Sequence, residues 1–160
     1  MIRSALLYAA GAYAADVLWT PERVARQARA AAGSKPVLNV GCGTGSSSLR
    51  AFLFGPTRWG DVNCDIAARR NCSTGYRRPC HCDAMNLPFP DKMFGAVIAS
   101  HVLEHVSDPE RAMAEFTRVA DLSFVIVPKW WAPHTWLHPG HRFFIDQDGG
   151  LKPLWGGSAQ

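Results

Sequence analysis

The chain of 160 residues has no long apolar run, no long block of like charge and no internal repeat. A transmembrane helix needs about 20 mostly apolar residues in succession, so no membrane span is predicted. Lys and Arg number 17 against 13 Asp and Glu, and the basic residues are scattered. This mildly basic balance permits an anionic partner but does not require one. The length suits one domain with a substantial core.

The N-terminal segment is apolar and rich in alanine between residues 5 and 15, and Ala12-Tyr13-Ala14 resembles a signal-peptide cleavage site. The alternative is a helix that covers an edge of the fold. We favour the helix because the segment continues into Asp16 and Trp19 without a clear loop.

The five cysteines lack the paired C-x2-4-C spacing that structural zinc sites favour. Cys64, Cys72, Cys80 and Cys82 nevertheless lie in one stretch with His81, so a zinc site is an alternative to be weighed. We expect no metal there and predict reduced thiols, as in a reducing compartment.

Strand and helix patterns alternate along the chain. Apolar runs predict strands at residues 37–41, 61–64, 80–82, 94–100 and 122–127, with a short further strand at 142–145. Capping signals and apolar periodicity predict helices at residues 20–32, 46–54 and 108–120. The alternation favours an α/β fold with a doubly wound, mainly parallel sheet and a shortened C-terminal part.

A glycine-rich turn follows the first predicted strand as Gly41-Cys42-Gly43-Thr44-Gly45. Such a turn before a helix can hold a charged cofactor at the carboxyl edge of a sheet. A dinucleotide fingerprint would have glycine at position 46, where this chain has Ser46. The G-x-G-x-G spacing instead resembles motif I of class I S-adenosylmethionine (SAM)-dependent methyltransferases, type 11 branch, and the resemblance extends over about residues 37–127.

That resemblance implies a Rossmann-like fold, SAM as cofactor with S-adenosylhomocysteine as product, and methyltransferase activity. It also implies roles for polar residues after successive strands: Asp65 for the ribose hydroxyls, Asp83 for the adenine amino group, and the segment 100–106 for the methionine part. The implied cofactor-binding residues are Asn39, Gly41, Cys42, Gly43, Gly45, Asp65, Ile66, Asp83, Ala84, Met85, Ser100 and His101. Asn39 replaces the usual acid, and Gly95 replaces a frequent aspartate.

Transfer of the sulfonium methyl needs mainly alignment of an acceptor, so proximity can supply most of the catalysis. His101 and His105 are candidate general bases, although a base is required only for a protonated nucleophile. The tail at residues 129–160 contains aromatic rings that suit an aromatic or cationic small molecule. The alternative is that these rings only pack together in a short lid. The candidate acceptor-binding residues are Trp130, Trp131, His134, Trp136, His138 and His141. The three tail histidines have no carboxylate placed among them in the sequence, so we expect no metal there.

The resemblance predicts methyl transfer to a small-molecule acceptor in the cytoplasm, where the cofactor is available. A non-catalytic SAM-binding subunit and a nucleic-acid methyltransferase are alternatives, although the Asn-Pro-Pro-aromatic motif of amino-methylating enzymes is missing. We expect one domain, with an N-terminal helical segment at 1–35, a cofactor-binding core at 36–128 and an acceptor-side tail at 129–160. Residues 142–145 should pair with the edge of the fifth strand; alternatively a second subunit or the Trp-rich tail covers this edge, so we expect a monomer or a homodimer.

Overall fold

The computed structural model describes residues 21–43, 59–69, 79–128, 131, 133–137, 139–146, 148 and 150–154. The first helix, α1, spans residues 21–31. The remaining elements are β1 (Val37–Val40), β2 (Val62–Asp65), β3 (Cys80–His81), β4 (Phe94–Ser100), α2 (Pro109–Val119), β5 (Ala120–Ile126), α3 (Pro133–Leu137), β6 (Phe143–Ile145) and β7 (Leu151–Pro153). The helix predicted at 46–54 and the apolar segment at residues 5–15 lie outside the described residues. Within the described part, no helix is long and apolar enough to cross a membrane.

Five parallel strands form the main sheet in the order β3-β2-β1-β4-β5. The prediction of a doubly wound parallel sheet is therefore confirmed. The strand order reverses between β1 and β4, and in open α/β sheets such a reversal is expected to open a crevice at the carboxyl ends of the two strands. Open α/β sheets bind their ligands at such a switch point.

The two faces of the sheet are covered by different helices. Alternate residues of a strand point to opposite faces. Ala96 and Ile98 pack with the alanines of α1, whereas Val97 and Ala99 belong to the larger cluster that contains Phe116 of α2. Because β4 is buried on both faces, it has the continuous apolar sequence from which it was predicted.

Gly95 allows α1 to approach the sheet closely. A Cβ at this position would lie 2.7 Å from the Cα of Ala32, just beyond the end of α1, and would also meet the Ala32 carbonyl. The Gly95 N–H donates to the carbonyl of Pro36 at 3.0 Å. The aspartate that the resemblance leads one to expect would not fit beside this backbone.

The helix α2 begins with a capped turn and ends with an arginine that anchors a loop. Asp108 accepts a hydrogen bond from the Arg111 N–H at 2.9 Å, as an N-cap does. The Arg118 guanidinium donates to the carbonyls of Leu87 and Phe89 at 2.9 and 2.8 Å and pairs with Glu115. The hydrogen bond from Arg118 is the main reason why the pKa of Glu115 lies below its ordinary value.

The C-terminal strands form a separate hairpin, which corrects one prediction. Residues 143–145 do form a strand, but β6 pairs antiparallel with β7 in its own two-stranded sheet and does not pair with β5. The sequence reasoning allowed for one short strand after residue 127 and missed β7, because Leu151–Pro153 is short and ends in proline. Among the described residues, β5 pairs only with β4.

The expectation of reduced thiols is wrong for Cys64 and Cys82, which form a disulfide. Cys80 is also disulfide-bonded, and Cys42 is a buried thiol. Parallel pairing aligns Cys64 of β2 with Cys80 of β3. The strands thus bring cysteines together that the linear spacing keeps apart.

Candidate active site

The glycine-rich turn begins at the end of β1 and is fixed to the end of β2. The N–H groups of Gly41 and Cys42 both donate to the Cys64 carbonyl, at 2.8 and 3.1 Å. Gly41 and Gly43 have positive φ angles of 71° and 72°, a conformation that favours glycine. A Cβ on Gly41 would overlap a methyl group of Val102, so this glycine is needed for close approach as well.

Asp65 ends β2 beside this turn. Its Oδ2 accepts the Gly43 N–H at 2.7 Å, and its Oδ1 accepts the Ala67 N–H at 2.9 Å. The carboxylate therefore joins the glycine-rich turn to the turn after β2. Ile66, the next residue, has 63 % of its surface exposed and offers an apolar face next to the carboxylate.

The segment after β3 forms a tight turn that is held by its first residue. Asp83 Oδ1 accepts the Met85 N–H at 2.9 Å, and the Asp83 carbonyl accepts the Asn86 N–H at 3.0 Å. Ala84 is buried and Met85 packs against the main core. Asp83 and Asp65 thus follow neighbouring strands at the same edge of the sheet.

The loop after β4 starts at His101, directly after Ser100, the last residue of the strand. His101 has a φ of 57°, which is uncommon for a residue other than glycine. Its Nδ1 lies 3.0 Å from Oε1 of Glu104, whose side chain is only 1 % exposed. Val102 of this loop contacts Gly41, so the loop packs against the glycine-rich turn.

Asn39 is buried inside the sheet rather than exposed in the crevice. It is 1 % exposed, and its amide nitrogen donates to Asn63 Oδ1 at 3.0 Å. Asn63 in turn donates to the Gly60 carbonyl at 2.8 Å. A carboxylate at position 39 would lack the donor that Asn63 Oδ1 receives, which gives a structural reason for asparagine here.

The tail is attached to the loop after β4. The Arg142 N–H donates to the Glu104 carbonyl at 2.7 Å, and the His105 Nδ1 lies 3.0 Å from the Gly140 carbonyl. The rings of His105 and His141 are 4.8 Å apart between centroids. These contacts bring two of the predicted residues, His105 and His141, together at the carboxyl edge.

The predicted tryptophans are partly exposed. Trp131 is 52 % exposed, and Trp136 is 43 % exposed with its ring tilted against Phe144 at 5.1 Å. His134 lies in α3. Gly45, Trp130 and His138 fall outside the described residues.

Sequence reasoning missed Glu104 as a site residue. The segment 100–106 was identified by resemblance, but only the histidines in it were considered for chemistry. The signal that could have found Glu104 is an acid between two histidines directly after a buried strand. Asn63 was missed as the partner of Asn39 because this pairing depends on the register between β1 and β2.

Comparison with known proteins agrees with this architecture. Residues 38–121, more than half of the chain, match the family model of the methyltransferase domain, type 11. The chain belongs to this methyltransferase family. Class I SAM-dependent methyltransferases have the Rossmann-like parallel sheet that the five strands form here.

Curated relatives of this methyltransferase domain carry different acceptor names. The chain is 35 % identical to a demethylmenaquinone methyltransferase of Thermobifida fusca over 61 % of this chain and 46 % of that protein. It is 28 % identical to ajmaline N-methyltransferase of Rauvolfia serpentina, over 73 % and 40 %. It is 34 % identical to the probable tRNA methyltransferase 9B of Mus musculus, over 52 % and 19 %. The chain thus spans less than half the length of these relatives.

Proposed function

We propose that this chain binds SAM at the carboxyl edge of the sheet and transfers its methyl group to a small molecule with an apolar ring. The observation that carries the proposal is the Asp65 carboxylate, which ends β2 next to β1 and accepts the N–H of Gly43, in the turn after β1, at 2.7 Å. A carboxylate beside a glycine-rich turn is the arrangement that accepts ribose hydroxyls in nucleotide-binding α/β folds.

The residues around this carboxylate fit the cofactor. Gly41 and Gly43 keep the backbone of the turn free of side chains, and their positive φ angles fix its path. Ile66 offers an exposed apolar surface beside Asp65, suited to the flat face of the adenine ring. Asp83 lies at the end of the next strand, where a carboxylate can accept the adenine amino group. The bound cofactor supplies a methyl group that the sulfonium already activates.

His101 and Ser100 would lie beside the methionine part of the cofactor. His101 is the candidate base for an acceptor that arrives protonated, because Glu104 holds its Nδ1 at 3.0 Å and so orients the ring. An acceptor that arrives with a lone pair, such as a tertiary amine, needs no base, and alignment alone then supplies the catalysis.

The exposed tail supports an apolar, ring-containing acceptor. Trp131, Trp136 and Leu137 leave large apolar surfaces in solvent, and the tail is attached to the loop after β4. Aromatic side chains stack on flat rings, and the face of an aromatic ring attracts cations. Two of the relatives bear names of ring-containing small molecules, which is consistent with this acceptor class.

Label transfer from methyl-labelled SAM tests the proposal. The chain is incubated separately with a panel of hydroquinones, a panel of amine alkaloids and unmodified tRNA. We expect label in a small molecule and none in RNA. Label only in tRNA would replace the proposed acceptor class by nucleic acid, as the third relative's name and the net charge of +4 would favour. Binding of SAM without any transfer to these panels or to a cell extract would indicate a non-catalytic SAM-binding protein.

A further inference from the structure

Three side chains with metal-binding atoms meet where the tail joins the loop after β4. One donor atom each from Glu104, His105 and His141 lie within 4.8 Å of one another. We propose that these residues bind a divalent transition-metal ion such as Zn²⁺ at the carboxyl edge of the sheet. Sequence reasoning expected no metal at the tail histidines because no carboxylate is placed among them in the chain. The fold provides this carboxylate from Glu104.

The buried carboxylate of Glu104 points to a bound cation. Its side chain is 1 % exposed, and its Oε1 contacts His101 Nδ1 at 3.0 Å. Its Oε2 is buried and has no hydrogen-bond partner among the described residues. A buried carboxylate is costly unless each oxygen is paired or coordinates a metal. A cation bound at Oε2 would satisfy this oxygen.

Each of the two histidines contacts a backbone carbonyl through Nδ1. His105 Nδ1 lies 3.0 Å from the Gly140 carbonyl, and His141 Nδ1 lies 3.1 Å from the Thr135 carbonyl. A carbonyl oxygen only accepts, so in each neutral ring Nδ1 carries the proton and Nε2 carries the lone pair. Metal-binding histidines commonly donate their second ring nitrogen to a backbone carbonyl in this way.

The distances allow one ion to bind all three donors. Ligands about 2.1 Å from a tetrahedral ion lie roughly 3.4 Å apart. Donors within 4.8 Å of one another must therefore approach by up to about 1.4 Å. His105 is exposed and can rotate, whereas His141 and Thr135 are buried and fix the other side. Two imidazoles and one carboxylate suit Zn²⁺, Fe²⁺ or Co²⁺ better than Ca²⁺, which takes oxygen ligands.

Three protein ligands leave a coordination position open, as in catalytic zinc sites. The loop that carries Glu104 and His105 also contacts Gly41 through Val102, so the ion would lie next to the cofactor edge. An acceptor with an oxygen or nitrogen donor could bind at the open position, where the ion would orient it and lower its pKa. This role rests on the proposed function, whereas metal binding itself does not.

Metal titration of the whole chain tests the proposal. Chain treated with EDTA and dialysed is titrated with Co²⁺ and with Zn²⁺ by calorimetry, and the Co²⁺ complex is followed by its visible absorption. We expect one ion per chain and no thiolate-to-cobalt charge-transfer band, because no cysteine is among the ligands. Glu104→Gln and His141→Gln should each weaken binding by about 100-fold or more, since even residues that only support metal ligands change affinity about 10- to 100-fold.

Matched controls are Glu110→Gln and His81→Gln, both at exposed positions outside the cluster, and these should bind the ion as the unchanged chain does. If Glu104→Gln does not fold, the same titration is made with His105→Gln, which should also bind the ion more weakly. His105 is exposed, so its replacement should not prevent folding. Unchanged affinity in the folded cluster variants, a thiolate band, or no ion bound by the unchanged chain would each overturn the proposal. The metal-free chain should still bind S-adenosylhomocysteine, so a failure of the metal site can be distinguished from a failure of the proposed function.

Discussion

Replacement of Asp65 by asparagine removes a charge at the proposed ribose site and keeps the size of the side chain. In the structure both carboxylate oxygens accept backbone N–H groups, from Gly43 at 2.7 Å and from Ala67 at 2.9 Å. Asparagine has one accepting oxygen and one donating nitrogen. It can therefore accept only one of these two N–H groups, and its nitrogen must face the other donor.

The size of the effect follows from these contacts. A hydrogen bond to a charged acceptor contributes about 1.5–3 kcal/mol and a neutral one about 1 kcal/mol. Asp65→Asn weakens the contact to the glycine-rich turn and removes one of the two oxygens proposed for the ribose hydroxyls. We expect binding of S-adenosylhomocysteine to weaken by about 2 kcal/mol, which corresponds to about 30-fold in Kd.

Isothermal titration of S-adenosylhomocysteine into the unchanged chain and the variant measures this effect. Asp61→Asn is the matched control, because Asp61 lies just before β2 at the opposite edge of the sheet. There it accepts the Val37 N–H at 2.8 Å and pairs with Arg29. The control should lose stability but keep its affinity for the ligand. Equal affinities of the Asp65 variant and the unchanged chain, with both folded, would refute the assignment of the ribose site.

Three further predictions concern stability. Gly95→Ala should lower the free energy of unfolding more than Gly33→Ala does, because a Cβ at position 95 would lie within 3 Å of backbone atoms whereas a Cβ at position 33 would meet open space. The Gly33 variant should lose about 1 kcal/mol from its positive φ alone. Equal losses in chemical denaturation would contradict the close approach at Gly95. Glu115→Gln should cost about 2 kcal/mol at neutral pH. Arg118 lowers the pKa of Glu115 in the folded state. The difference in free energy of unfolding between the unchanged chain and the variant should therefore be complete above pH 4.5 and should shrink as the pH falls through the lower folded-state pKa. A difference that does not change with pH would contradict this pairing. Asn39→Asp should lower the melting temperature, because the buried side chain would no longer donate to Asn63 Oδ1, and it should not strengthen SAM binding. A tighter complex with SAM would contradict this structural role of Asn39.

Most of the sheet could be predicted from the sequence because its strands have local signals. The apolar run at 94–100 predicts a strand buried on both faces, and the structure has β4 at the same bounds. The Asp108-Pro109-Glu110 signature predicts the start of α2, and Asp108 is its N-cap. These features depend on neighbouring residues along the chain, which a sequence displays directly.

Features that depend on contacts between distant segments could not be predicted. The disulfide between Cys64 and Cys82 requires the ends of β2 and β3 to lie together. The proximity of Glu104 to His141 likewise follows from hydrogen bonds between the tail and the loop after β4. The glycine-rich turn and Asp65 were the parts of the site that a resemblance to a known family could supply.

The most direct test of the central claim is a crystal structure of the chain with S-adenosylhomocysteine. We predict difference electron density at the carboxyl ends of β1 and β4, with the ribose hydroxyls within hydrogen-bond distance of Asp65 and the adenine ring against Ile66. Density for the ligand away from Asp65 and the glycine-rich turn, or a ligand-free crevice in crystals grown at saturating concentration, would contradict the proposed cofactor site.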